Sequence, residues 1–299
     1  MSEFASPTPS AKDKRSATSA PSVAVIGAGR MGAGIAHAFL VSGSTVTLCD
    51  VDTAATQRGV DTVVRSVSVA HERNTLRESP SLVLARLATM VGASAIGAVD
   101  LVIEAVPENI DLKRSVLADA TAGVPTTTVV ATNTSSISIA ELADAVCEPT
   151  RFLGMHFFNP VPVSKLVELI RGEHTDDRTI ELARTWVLAL GKQEVIAADA
   201  PGFATSRLGV AIGLEAIRML EQKVASAEDI DRGMVLGYGF PVGPLRLTDI
   251  VGLDVRLEIA EYLERTLGPR FEPPALLRSL VAQGHLGRKS GRGFYRWAD

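Results

Sequence analysis

Cysteine is scarce in this 299-residue chain: only Cys49 and Cys147 occur, far apart and in apolar surroundings. Two such thiols exclude a disulfide framework and a thiolate metal site, and match the usage of a reducing cytosol. A cytoplasmic location is therefore expected. Long apolar runs are missing as well. None approaches the roughly 18 residues of a membrane helix, so no membrane partner is expected. Charge of one sign is also lacking, since 30 Lys and Arg against 34 Asp and Glu leave a net −4. That balance argues against nucleic acid as the main partner. Both tryptophans, Trp186 and Trp297, read as packing. Of the histidines, His37, His71, His174 and His285 sit on a first helix, in polar stretches and in the tail. None of them has a metal-ligand spacing, and no metal is expected.

What is present is an ordinary globular composition, 46% hydrophobic and 21% charged, long enough for one large or two ordinary domains. Residues 1–21 are rich in Ser, Ala, Thr and Pro and have no apolar core for a secretory signal. Glu3 and Asp13 count against a transit peptide. A disordered tail is expected there, because the segment offers too little apolar surface to offset its ordering entropy.

Val23 to Ile26 is a short β-branched run ending in G-A-G-R-M-G, Gly27 to Gly32. A helical pattern through Ile35, Ala36, Phe39 and Leu40 follows, then the strand T-V-T-L-C-D ending at Asp50. Strand, glycine turn, helix, strand and acid come in the order a dinucleotide site requires. Gly27 permits the turn, Gly29 admits the pyrophosphate, and Gly32 lets helix and strand pack, with Arg30 and Met31 opening the helix. Asp50 comes about 20 residues after the turn, where a carboxylate holds the adenine ribose and repels a 2′-phosphate. NAD is the expected cofactor.

From Asp52 to about Arg86 the pattern is helical and polar, with Arg58, Arg65, Arg73, Arg77 and Arg86 spread along it. One or two helices projecting from the sheet are expected, their arginines either solvated or meeting a ligand's phosphates. Leu87 to Val91, Asp100 to Val106 and Thr126 to Thr132 read as strands, with helices from Ile110 to about Ala122 and from near Ser138. Ligands in open parallel sheets sit beyond the carboxyl ends of the strands. Ala105, Glu108, Asn109, Asn133 to Ser136, His156 and Asn159 fall there, although Ser135 or Ser136 reads equally well as a helix cap.

Arg151 to Arg171 reads R-F-L-G-M-H-F-F-N-P-V-P-V-S-K-L-V-E-L-I-R. Strand alternation puts Leu166, Glu168 and Ile170 on one face. If the two apolar segments pair, His156 and Glu168 meet, and a carboxylate on one ring nitrogen leaves the other free to take a proton. The same residues read equally as a packed core histidine and an edge glutamate. A helix over Asp176 to Leu190 and a strand over Lys192 to Ile196 follow. After the hinge Ala197 to Phe203 the strands stop. Ala204 to Lys223, Ser226 to Leu236, Leu245 to Leu267 and Pro274 to Gln283 read as helices, before a basic glycine-rich tail, Gly284 to Trp297. The expected architecture is α/β: a Rossmann-type, doubly wound, mostly parallel sheet over 22–199, then an all-helical C-terminal domain over 200–299.

Together G-A-G-R-M-G, E-A-V-P-E-N, T-N-T-S-S, H-F-F-N-P-V-P, K-L-V-E, P-G-F, P-V-G-P, D-I-V-G-L-D and G-R-G-F-Y resemble the L-3-hydroxyacyl-CoA dehydrogenase family in its short-chain, 3-hydroxybutyryl-CoA form. The resemblance spans Ser22 to Trp297. It implies NAD-dependent oxidation of a (3S)-3-hydroxyacyl-CoA, or the reverse reduction, in a cleft between the two domains, with the helical domain pairing two subunits. By the same resemblance His156 is the general base, Glu168 orients it, and Ser135 bonds the reacting oxygen. Glu108 and Lys113 then go to the cofactor's ribose and Asn159 to its nicotinamide side. The family's G-F-x-x-N-R is here G-F-A-T-S-R, so Ser206 stands where an Asn contacts that oxygen. It is either a tolerated polar swap or the sign of a shifted substrate. The helical segment after Asp52 is richer in Ala, Val and Ser than the family's lysine-bearing version, leaving Arg65 as the candidate phosphate contact for coenzyme A. Two alternatives stand beside this reading. One is the same chemistry on an acyl-carrier-protein thioester or a free hydroxy acid. The other is a non-catalytic NAD-binding homologue.

Overall fold

The computed structural model describes residues 20–297, so most of the tail expected over 1–21 lies outside the described residues. The first part alternates strand and helix: β1 (Ser22–Ile26), α1 (Arg30–Val41), β2 (Thr45–Asp50), α2 (Thr53–Glu72), α3 (Pro80–Leu84), β3 (Leu87–Val91), β4 (Leu101–Glu104), α4 (Ile110–Ala122), β5 (Val129–Thr132), α5 (Ile139–Ala143), β6 (Phe152–Phe157), β7 (Leu166–Arg171), α6 (Asp177–Ala189) and β8 (Gln193–Ala198). These strands form one eight-stranded sheet in the order β3-β2-β1-β4-β5-β6-β7-β8. All neighbours are parallel except β6 and β7. Between β1 and β4 the strand order reverses direction, and the carboxyl ends there frame a ligand crevice.

Two apolar layers sandwich the sheet. Val23 and Val25 face α1, α2 and α6 through Ile35, Phe39, Val63, Val67, Ile180 and Val187. Ala24 and Ile26, one position out of step, face α4 and α5 through Leu117, Ala120, Ile139 and Leu142. Strand alternation alone produces this two-sided burial. Helix α2 does not project clear of the sheet as its polarity suggested. Ala55, Thr56, Gly59, Val63 and Val67 recur at helical spacing and are buried, and they lay it along α1 beside β2 and β3.

After the hinge come α7 (Thr205–Glu221), α8 (Ala227–Tyr238), α9 (Pro244–Val251), α10 (Leu253–Leu267) and α11 (Ala275–Ala282), around Val210, Leu214, Ile217, Leu245, Leu253, Leu263 and Leu277. The single helix expected over Leu245 to Leu267 is two, because Gly252 at φ +110° breaks it. The basic tail is docked rather than loose. Asp249 accepts hydrogen bonds from Phe294 N, Tyr295 N and Trp297 Nε1, and Asp231 accepts one from the Tyr295 hydroxyl.

Candidate active site

The glycine turn is built as its sequence implies. Gly27 sits at φ +100°, and a Cβ there would meet Ala105 O at 2.7 Å. A Cβ on Gly32 would lie 1.7 Å from Gly27 O, so α1 can approach β1 only with glycine at that position. Gly29 is different: nothing lies within 4 Å of a Cβ built there, which leaves open space in front of the amides that begin α1. Such a helix end attracts phosphate through its unpaired N–H groups. Beside it a cavity of about 340 Å³ is lined by Ala28, Gly29, Arg30, Asp50, Ala55, Arg58 and Thr62. Asp50 closes β2 on this cavity, accepting from Ala28 N and Val51 N at 2.7 Å each. A turn that admits a pyrophosphate, with a carboxylate beside a ribose-sized space, fits a dinucleotide. Of the five arginines in the polar stretch Arg58 lines that space, whereas Arg65 lies on the exposed face of α2 with its guanidinium on Thr62.

At the end of β4 a second polar cluster holds the serine loop. Lys113 of α4 is only 1% exposed, and its ammonium donates to Glu104 Oε1 at 2.8 Å, Glu104 Oε2 at 3.1 Å and Val106 O at 3.2 Å. It also stands 3.3 Å from Glu108 Oε2. Glu108 Oε1 accepts from Thr134 Oγ1 at 2.6 Å and from the backbone N–H groups of Ser135 and Ser136 at 2.9 and 3.1 Å. Burial by itself would raise the Glu108 carboxyl, but Lys113 and these donors outweigh it and hold the group below its ordinary value. Neither Ser135 nor Ser136 caps the following helix. Ser138 does, its hydroxyl accepting from Glu141 N. Ser135 is thus left with its amide on Glu108 and its hydroxyl making no hydrogen bond among the described residues.

The antiparallel pairing of β6 and β7 sets His156 directly opposite Glu168. His156 Nδ1 lies 2.8 Å from Glu168 Oε2, and the two residues are 6% and 0% exposed. Glu168 also accepts from Thr205 N at 2.9 Å, Ala204 N at 3.2 Å and Thr205 Oγ1 at 2.6 Å, all at the start of α7. Burial pushes this carboxyl up, but His156 and Thr205 more than reverse that and hold it below its ordinary 4.5. It is therefore an anion at neutral pH. Phe158 and Phe203 flank the imidazole, with ring centroids 4.4 and 6.1 Å away. Thr205 and Ala204 went unnoticed in the sequence, where only their place beside Ser206 in G-F-A-T-S-R drew attention to that turn. Asn133 is a strut: its Oδ1 accepts from Phe157 N at 2.8 Å, tying the end of β5 to β6. Asn159 is exposed in the turn after β6, and Ser206 is half-buried at the second position of α7.

Sheet order, glycine turn and buried histidine–carboxylate pair together define the class, a nicotinamide-dinucleotide-dependent dehydrogenase with an appended helical unit. The sequence pattern of the family described as 3-hydroxyacyl-CoA dehydrogenase, NAD binding domain, matches residues 22–200, and that of its C-terminal domain matches 202–297. The chain belongs to the 3-hydroxyacyl-CoA dehydrogenase family and is an NAD-dependent oxidoreductase. A probable 3-hydroxybutyryl-CoA dehydrogenase of Deinococcus radiodurans is 40% identical over 274 residues, 91% of this chain and 99% of its own length. Human mitochondrial hydroxyacyl-coenzyme A dehydrogenase is 39% identical over 284 residues, 92% of this chain and 90% of its own. The crystal structure of (S)-3-hydroxybutyryl-CoA dehydrogenase from Ralstonia eutropha matches with a TM-score of 0.89 at 42% identity, covering 94% of this chain and 100% of that one.

Proposed function

We propose that this enzyme interconverts a short-chain (3S)-3-hydroxyacyl-CoA, 3-hydroxybutyryl-CoA, and its 3-oxoacyl-CoA, with His156 as the proton acceptor and donor. The observation that carries this reading is the buried His156–Glu168 contact at 2.8 Å. Because Glu168 is an anion, the ring proton sits on Nδ1 and the Nε2 lone pair is free. In the oxidative direction Nε2 takes the proton of the substrate's 3-hydroxyl, and Glu168 offsets the charge that forms on the ring. Bound NAD supplies the acceptor for the hydride leaving C3. Ser135 offers its hydroxyl to the reacting oxygen, its backbone fixed by Glu108. Ser206, at the second position of α7, is assigned to the same oxygen. Phe158 and Phe203 shield the ring from water.

On the cofactor side, Gly27, Gly29, Arg30, Met31 and Gly32 take the pyrophosphate and Asp50 the adenine ribose. Ala105 borders the turn, and Glu108 offers its Oε2 to the second ribose. Lys113 acts through Glu108 and Glu104 rather than by contact, since its ammonium already faces both carboxylates and Val106 O. Arg65, on the exposed face of α2, is assigned to the phosphates of coenzyme A.

We read 200–299 as the substrate and dimerisation unit. Exposed Leu236, Tyr238, Leu247, Ile250 and Val251 on α8 and α9 support a homodimer, which sedimentation would test. Among the described residues no helix is long and apolar enough to cross a membrane, and the two free cysteines agree with a cytoplasmic location. The deciding assay follows NADH oxidation with acetoacetyl-CoA and with the same acyl group on acyl carrier protein. Turnover of the CoA thioester is expected. Silence on it, with turnover of the carrier-bound form, overturns the substrate assignment. NADH binding with turnover of neither overturns the enzymatic one.

A further inference from the structure

Lys192, just before β8, is a buried cation that the chemistry above does not use. It is 7% exposed, and its ammonium donates to Val161 O at 2.6 Å and to Ser164 O. Among the described residues its only partners are these two carbonyls and no acid pairs with it, and burial pushes its pKa down. The titratable group facing it is His37 of α1, which burial and then Lys192 push down to about 4, leaving that imidazole neutral. A buried ammonium without a counter-ion is costly, and an apolar side chain would fill the same volume without that cost. What the charge holds is therefore informative.

Both carbonyls belong to the turn that links β6 to β7, and so links His156 to Glu168. Within it Val163 N and Ser164 N both donate to Pro160 O, at 3.0 and 2.9 Å, next to Asn159. Val161 is buried against α1, where a Cβ added to Gly34 would lie 3.0 Å from Val161 Cβ. The turn is thus clamped between two supports. Lys192 holds its carbonyls from the β8 side, and the first turns of the cofactor helix receive its apolar side chain.

We propose that Lys192 is a positioning residue for the cofactor end of the site, pinning the 159–164 turn onto α1 so that Asn159 meets the bound nicotinamide. The proposal rests on the assignment of Asn159 to the nicotinamide side that the family resemblance implies. It acts on the cofactor and leaves the proton route of His156 and the thioester contacts alone.

Lys192→Met tests it with three readouts. In the enzyme without cofactor, hydrogen exchange at the Val163 and Ser164 amides accelerates while the β6 and β7 amides keep their protection. NADH binding, followed by fluorescence, weakens on the order of tenfold, the scale of a small misplacement of a positioned group. The KM for acetoacetyl-CoA stays near that of the parent. Gly34→Ala pushes the same turn from the α1 side while favouring the helix, so it serves if Lys192→Met does not fold, and it should weaken NADH in the same direction. Unchanged NADH affinity in the folded Lys192→Met protein overturns the proposal, as does an equal rise in both KM values. If only Gly34→Ala folds, unchanged NADH affinity there overturns it. Parent enzyme that binds NADH but turns over no thioester counts against the proposed reaction and leaves this binding test standing.

Discussion

Glu108 and Glu168 occupy equivalent places in the molecule, each a carboxylate at the ligand end of the sheet accepting backbone N–H groups from the segment it holds. Glu108 grips the serine loop and Glu168 grips the start of α7. Both are held below their ordinary pKa against the effect of burial. Their partners differ. Glu108 and Glu104 share the buried ammonium of Lys113, whereas Glu168 faces the imidazole of His156, the proton acceptor proposed above. The first cluster holds a shape and offers a carboxylate oxygen to a ribose, but it moves no proton. The second can hold a shape and accept a proton, because an imidazole is the one partner that ionises near neutrality.

The comparison is broken most severely at Glu168. Glu168→Gln keeps the volume but loses the anion that fixes the ring and stabilises its charged form. Steady-state assays should show kcat down by about 100- to 10,000-fold with KM for the thioester little changed. Glu108→Gln leaves the proton route intact and should raise the KM for NADH instead. Equal losses of kcat in the two variants would erase the distinction. Next in size is Lys113→Met, which strands Glu104 buried and unpaired. Denaturant titration should find a loss of about 3–5 kcal/mol, the usual cost of removing one partner of a buried pair. Because both glutamates have depressed pKa values, the stability they contribute is fully present above the ordinary value of 4.5 and is lost as pH falls through their lower folded values. Lys113→Met should therefore weaken the Glu108 share of that acid transition and leave the Glu168 share.

The difference between the clusters also governs how much of each was legible. His156 and Glu168 stood out because ionisable residues interrupt apolar strand runs, and a strand's period of two assigns their faces. Family resemblance alone places Lys113 on the cofactor's ribose, since nothing local shows that Glu104, nine positions earlier, points back beneath it. Thr205 lies 37 positions from Glu168, across the hinge, and a contact between units leaves no periodic trace. The glycine turn, the strand sequence and the change to helices after the hinge are local patterns and were readable. The split at Gly252 has a local signal, a glycine inside the helical pattern, that the reading of one helix over Leu245 to Leu267 overlooks. The burial of one face of α2, by contrast, depends on tertiary packing, which propensity does not report.

Thr205→Val sharpens the comparison by removing one hydroxyl from Glu168 while keeping its two backbone donors. A hydrogen bond to a charged group is worth about 1.5–3 kcal/mol. A kcat reduction of roughly tenfold to a hundredfold is expected, well short of Glu168→Gln. A fall in thermal stability with kcat unchanged would make Thr205 a tie between the two units and nothing more.

The smallest effect is expected at Ser206, one residue further along α7, half-buried and making no hydrogen bond among the described residues. Ser206→Asn lengthens the side chain and adds a second donor without replacing Glu168 or His156. One new hydrogen bond to the reacting oxygen contributes ~0.5–1.5 kcal/mol, so kcat/KM with acetoacetyl-CoA should rise about two- to tenfold. The pH profile should stay in place, because the proton still travels through His156. A fall in kcat/KM would mean that the shorter serine leaves room the natural substrate needs. The position would then govern acyl selectivity, and the same variant assayed with longer 3-oxoacyl-CoA chains would show the loss growing with chain length.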